Sequence, residues 1–288
     1  MDVIIGSGNT EGRYMRKKLV FLDVDGTLAP PGSYDAPASA IRAVKRAQEN
    51  GHKVFLCSGR NYCKVEPLLR HGFDGGITSC GGYIVAGDKV IYDCPLTEEQ
   101  KNTAMDLFTE EGVFMNIEAK DDSYCDEGPK QLRGIDTDKN SLLLSWVKAV
   151  WVDLGGKPLE EYDGRPLYKI VFICYDEHQL DSARNALGDE LFFLIHDFSE
   201  KDLLFGEIVN RKFDKGTAVR RVAEELGFDI EDTIGFGDSM NDVELIETVG
   251  TSVCMGNGSP QLKEMSDMVC PAFDEDGIEW GFRELGLI

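Results

Sequence analysis

Asp23 and Asp25 stand two residues apart at the end of an apolar run, Leu19-Val20-Phe21-Leu22, and Gly26-Thr27-Leu28 follows at once. Side chains alternate along a strand, so carboxylates two apart can lean to the same side. Two carboxylates that close repel, and both stay ionised only with a cation between them. A donor set made only of oxygen favours Mg2+ over zinc. A plainer reading is also open: Asp-Val-Asp-Gly is a polar turn closing a strand, Asp-Gly being a common turn pair.

Far downstream, Thr233-Ile234-Gly235-Phe236-Gly237 is a second apolar run, ending in Asp238-Ser239-Met240-Asn241-Asp242 and then a helical pattern (Val243, Leu245, Ile246). Helix capping by Asp238 or Ser239, with Asp242 in the first turn, accounts for one or two of these residues. It leaves unexplained why two separate strands both end in paired acids. Ser58 lies between an apolar run, Lys53 to Cys57, and a helical stretch, Asn61 to Arg70. There a hydroxyl and neighbouring N–H groups can hold a phosphoryl oxygen, as anions bind helix N-termini, or the serine can simply cap the helix. Asp214-Lys215-Gly216-Thr217 opens a helix that runs to Leu226 and stops at Gly227. A lysine in a first turn opposes the macrodipole, so Lys215 is either exposed and tolerated or faces something negative.

The elements that must position these residues read as alternating strands and helices. In open α/β sheets ligands bind outside the carboxyl ends of the strands, which is where Asp23, Asp25, Ser58 and Asp238 would arrive. Ser39 to Asn50 is an amphipathic helix (Ile41, Val44, Ala47) stopped by Gly51, and Gly75 to Ser79 is a short strand with Gly81-Gly82 as a flexible exit. The prolines and glycine of Ala29 to Pro37 forbid regular structure. From Tyr83 to Glu200 the character changes. Short strands (83–85, 89–92, 113–117, 168–174, 191–196) alternate with helical stretches (97–111, 137–152, 177–187) and acidic loops. This predicts an α+β domain with a mostly antiparallel sheet, inserted into the first. Trp146 and Trp151 fall on one of its helices and read as packing. Leu203 to Val209 is expected to return to the first domain as a strand, and the tail adds strands at 251–255 and 268–270, a helix at 260–265 and a closing helix over 277–288. The expected division is a leader of residues 1–16, outside ordered structure, a core of 17–82 with 201–288, and an insert of 83–200.

Hydrophobic content of 42% and charged content of 28% are those of an ordinary globule. The formal net charge of −22 argues against nucleic-acid or anionic-membrane binding, both of which need a basic surface. Eight scattered cysteines, no pair at CxxC spacing, read as reduced core residues of a cytoplasmic protein. A phosphate ester would be repelled by the global field, so local cations must attract it: a metal, Lys215 and Arg60.

Taken together, Asp23-Val24-Asp25-Gly26-Thr27-Leu28, Cys57-Ser58-Gly59-Arg60, Asp214-Lys215-Gly216-Thr217-Ala218 and Gly237-Asp238-Ser239-Met240-Asn241-Asp242 resemble the four ordered motifs of the haloacid dehalogenase-like (HAD) phosphohydrolases. The pattern is closest to the Cof-type branch, with a large cap between the second and third motifs. Cys80 departs from it, standing where that branch usually has asparagine. The resemblance implies a Rossmann-like, doubly wound, mostly parallel sheet with an inserted α+β cap. It also implies hydrolysis of a small phosphorylated metabolite with Mg2+. By the same resemblance Asp23 attacks phosphorus and Asp25 is the acid and base. Asp23, Asp25 (through its backbone carbonyl), Asp238 and Asp242 hold the metal, and Ser58, Gly59, Arg60, Lys215 and Asn241 hold the phosphoryl group. The dehalogenases lack the second aspartate. Two rivals stay open on sequence: a phosphomutase of the phosphomannomutase type, and a receiver-like phospho-acceptor.

Overall fold

The computed structural model describes residues 16–128, 156–196 and 203–288. The predicted leader, and the predicted helix with Trp146 and Trp151, lie outside these residues apart from Arg16. Two sheets organise the rest.

The first sheet is built on β1 (Leu19–Leu22), whose four residues are all buried. β2 (Lys53–Cys57) and β12 (Thr233–Gly237) flank it in parallel register, Phe21 opposite both Phe55 and Gly235. β3 (Gly75–Thr78) continues beyond β2, and β13 (Thr251–Cys254) and β14 (Met268–Val269) continue beyond β12, all parallel. Strands buried on both faces need apolar residues at every position, which is why these segments read as continuous runs. Alternation divides β1: Val20 and Leu22 pack with α1 (Ala38–Glu49) and α8 (Gly277–Glu284), while Leu19 and Phe21 pack with α5 (Lys215–Leu226). Helices on both faces of a mostly parallel sheet are the doubly wound arrangement the sequence predicts.

The strand memberships correct two expectations. β4 (Tyr83–Ala86) and β5 (Lys89–Asp93), read as the start of the insert, instead extend the first sheet antiparallel from β3. Short connections hold them there: a single turn at Ser79–Gly81 joins β3 to β4, and Gly87-Asp88 joins β4 to β5, so each strand folds back on its predecessor. Conversely, β11 (Leu204–Asn210) does not return to the first sheet. It pairs antiparallel with β10 (Leu191–Ile195) and with β9 (Leu167–Cys174) in the second sheet. That sheet has the order β10-β11-β9-β6-β7-β8, with β6 (Phe114–Ala119), β7 (Ser123–Cys125) and β8 (Lys157–Pro158). Ile117, Ile170 and Ile208 on one of its faces pack with Phe108 and Ala104 of α3 (Glu98–Glu110) and Ala183 of α4 (Asp181–Leu187). The helical stretch predicted over 177–187 divides into a 3-10 turn at Glu177–Leu180 and α4. No helix among the described residues is long and apolar enough to cross a membrane.

Candidate active site

The carboxyl ends of β1, β2 and β12 meet the first turn of α5. Beyond β1 the chain turns back sharply, with the N–H groups of Leu28 and Ala29 both donating to the carbonyl of Val24. Gly26 makes this turn possible at φ +85, and a Cβ there would lie 2.5 Å from Oδ2 of Asp238. The close approach of two motifs 212 positions apart therefore demands glycine for both conformation and space.

Asp23, Asp238 and Asp242 each present a carboxylate oxygen, all within 4.8 Å of one another. Lys215, only 2% exposed, donates from Nζ to Oδ1 of Asp23 at 2.7 Å and to Oδ1 of Asp242 at 2.5 Å. The lysine that opposed its own helix dipole thus faces two buried acids. Asp242 is further held by the backbone N–H groups of Asp238 (3.0 Å) and Ser239 (3.3 Å) at Oδ2, and Thr27 donates its hydroxyl to Asp238 Oδ1 at 3.2 Å.

One lysine does not balance three acids in a desolvated space. Burial, reinforced by the negative charge of Asp242, pushes Asp23 up to about 7 against the pull of Lys215. Asp238 is pushed up to about 8 by burial, then by Asp23 and Asp242. Burial works against the charge of Lys215, but Asp23 and Asp242 outweigh it and hold its pKa well above the usual lysine value. Three hard oxygen donors with surplus negative charge fit an oxygen-liganded divalent cation, whose charge would return Asp23 and Asp238 to the ionised form.

The remaining predicted residues fall in three places. Asp25 is outside the acid group: its carboxylate accepts from Arg60 Nε at 2.8 Å and Nη2 at 2.6 Å, and from the N–H of Gly32 at 2.8 Å. Arg60, expected to meet a phosphoryl group, is engaged by Asp25 and by the carbonyl of Ser33, with Tyr34 5.4 Å from its guanidinium; its Nη1 is buried without a hydrogen-bond partner. Ser58 is buried, and its Oγ accepts from the N–H of Arg60 at 3.1 Å. It is not the cap of the next helix, α2 (Tyr62–Leu69), whose N-cap position is Asn61. Asn241 is exposed and accepts from the hydroxyl of Ser239.

Sequence reasoning missed the turn at Ser79–Gly81. Ser79, Cys80 and Gly81 all have positive φ (50, 57 and 112), and the N–H groups of Ser79 and Cys80 donate to the carbonyls of Arg60 and Ser58. Two non-glycine residues in this region cost about 1–3 kcal/mol each, and such strain clusters at functional sites. Lys169 was missed as well, although a lysine inside the apolar run Leu167–Cys174 is a signal available in sequence.

The model of the haloacid dehalogenase-like hydrolases matches residues 20–281. A Bacillus subtilis protein named YkrA is 34% identical over 279 residues, covering 95% of this chain and all of that protein. The 5-amino-6-(5-phospho-D-ribitylamino)uracil phosphatase YwtE of the same organism is 26% identical over 283 residues, covering 93% of this chain and 98% of YwtE. Among solved structures, the HAD subclass IIB sugar phosphatase BT4131 matches in fold with a TM-score of 0.74 at 22% identity, over 94% of this chain and all of that one. With the acid cluster, the inserted cap and a match spanning nearly its whole length, the chain belongs to the haloacid dehalogenase-like hydrolases.

Proposed function

We propose that the protein is a Mg2+-dependent phosphatase that hydrolyses small phosphate monoesters through an aspartyl-phosphate on Asp23. The observation that carries this reading is the convergence of Asp23, Asp238 and Asp242 around Lys215, from three distant segments. A phosphate monoester is a dianion, and a carboxylate reaches it only where positive charge compensates both. Mg2+, when bound by Asp23, Asp238 and Asp242, supplies that compensation. The Asp25 carbonyl would complete its protein ligands.

Asp23 attacks phosphorus as the ester P–O bond breaks, and Asp25, once released from Arg60 and protonated from solvent, gives that proton to the leaving alkoxide. Asp25 then takes a proton from the water that cleaves the acyl phosphate, which restores Asp23 and releases phosphate. Ser58, the N–H groups near Gly59, Lys215 and Asn241 hold phosphoryl oxygens, and Arg60 joins them when it leaves Asp25. The relatives named as phosphatases support the class of substrate, a small phosphorylated metabolite. Eight unpaired cysteines support a reducing, cytoplasmic setting.

The test is phosphate release from a panel of monoesters. Activity is expected with Mg2+, lost in excess EDTA and regained on adding Mg2+ back; full turnover in the chelator would overturn the reading.

A further inference from the structure

Met255-Gly256-Asn257-Gly258-Ser259, the loop between β13 and the short helix α7 (Pro260–Met265), has no titratable side chain and adds no acid to the cluster. It nevertheless touches the backbone of both turns that carry those acids. Asn257 Nδ2 donates to the carbonyl of Gly26 at 2.8 Å, across 231 positions of sequence. Ser259, the N-cap of α7, donates its N–H to the carbonyl of Asp238 at 2.8 Å, and the N–H of Met255 donates to the carbonyl of Gly237 at 2.9 Å. Gly258 approaches so closely that a Cβ on it would lie 2.8 Å from the Asp238 carbonyl oxygen and 2.6 Å from Cys254 Sγ.

The Asn257 amide is held from its other end as well, Oδ1 accepting from the N–H of Phe273 at 3.1 Å. One neighbour can only accept and the other can only donate, so a carboxamide fits this position and neither a carboxylate nor an alkyl group does. The loop has its own anchors: Gly256 donates its N–H to the carbonyl of Pro271 at 3.2 Å, and Lys263 Nζ donates to the carbonyl of Gly256 at 2.6 Å.

Other ties between the two acid-bearing turns run through the Asp238 carboxylate, which Thr27 Oγ1 reaches at 3.2 Å and Gly26 crowds. A carboxylate that turns toward a cation gives up such contacts. The bonds from the loop go to backbone carbonyls and do not depend on where that carboxylate points. Gly26 is thereby pinned at both ends, its N–H donating to Ala29 and its carbonyl accepting from Asn257, and that N–H belongs to the same peptide unit as the Asp25 carbonyl. Mg2+ demands near-octahedral ligands at about 2.0–2.1 Å and tolerates little error in their spacing.

Resting on the Mg2+ site of the phosphatase reading, we propose that Asn257 is a positioning residue for that site. Through Gly26 it fixes the Asp25 carbonyl against Asp238, and so sets the affinity for Mg2+ without touching metal or substrate. Outer partners of metal ligands typically count for about 10–100-fold in affinity or activity.

The test reads Mg2+ affinity without substrate, from the rise of Tm with Mg2+ concentration at pH 8. Asn257→Ala and Asn257→Leu are expected to weaken Mg2+ by about tenfold, and the Mg2+ requirement for phosphate release should rise in step, while saturating Mg2+ restores most of kcat. The leucine variant keeps the side-chain volume and decides the matter if the alanine variant does not fold. Asn50 provides the control: its Nδ2 donates to the carbonyl of Leu287 at 2.8 Å, at the amino end of β2 and so at the opposite end of the sheet from the acids. Asn50→Ala is expected to lower Tm without Mg2+ and to leave Mg2+ affinity unchanged. Asn257 variants that bind Mg2+ as tightly as the wild type would overturn the proposal, as would an Asn50→Ala protein weakened toward Mg2+ to the same degree. A wild-type Tm that ignores Mg2+ would instead overturn the metal site of the phosphatase reading itself.

Discussion

Asp23 is the residue on which the chemistry turns, and its surroundings can be separated from its reactivity. Replacing it with asparagine keeps the volume and leaves Lys215 paired to Asp242, so Asp23→Asn should fold normally while turnover falls by on the order of 10^3-fold or more. Steady-state phosphate release together with circular dichroism checks both halves of that statement. The raised pKa values carry a second consequence, for the metal-free protein. Asp23 and Asp238 bind protons in the folded state up to about 7 and about 8, whereas in the unfolded chain they titrate near 3.8. The folded state therefore holds more protons between those values, and stability contributed by these groups at low pH is lost as pH rises through about 7 to 8. Thermal melts in EDTA should show Tm falling from about pH 5 to about pH 8 through this contribution. Added Mg2+ should raise Tm by a few degrees at pH 8 and by less at pH 5, since only ionised acids bind it. An equal Mg2+ effect at both pH values would contradict the assigned ligands.

Among the elements, the turn after β1 and the first turn of α5 do the positioning. Gly26 combines φ +85 with an approach to Asp238 that leaves no room for a methyl group. Gly26→Ala should destabilise the protein by about 2–4 kcal/mol and displace Asp238, read as a lower urea midpoint and a raised Mg2+ requirement. The placement of acids and lysine at strand and helix ends was legible because each sits where an apolar period stops. The pairing of strands was less so. β4, β5 and β11 are short, and nothing in their residues states which sheet they join; their connections and partners decide it. Lys169 and Glu118 were passed over for a related reason. They face each other across paired strands, and that neighbourhood does not exist until β6 and β9 are in register.

At the scale of the whole molecule, the two sheets are joined through Asn61, whose Nδ2 donates to the carbonyls of Ala119 and Asp122 and to the hydroxyl of Ser123. Tyr168 on β9 adds a contact, donating to Asp93 on β5 at 2.5 Å. Asn61→Ala should cost about 1–3 kcal/mol by leaving buried carbonyls short of a donor. Hydrogen exchange at residues 119–123 should quicken before the first sheet is affected, and unchanged protection there would show that Asn61 does not tie the sheets together. What the sequence determined by itself was local: apolar runs ended by acids, glycines where the chain must turn, and a lysine at odds with its own helix, each a property of a few neighbouring residues. The tertiary structure alone decided that Asp25 is held by Arg60 rather than grouped with Asp23, and that a charged strip of the second sheet lies against the Ser58 loop. Both depend on which distant surfaces meet, and the energy of that meeting is spread over whole elements rather than written in any one motif.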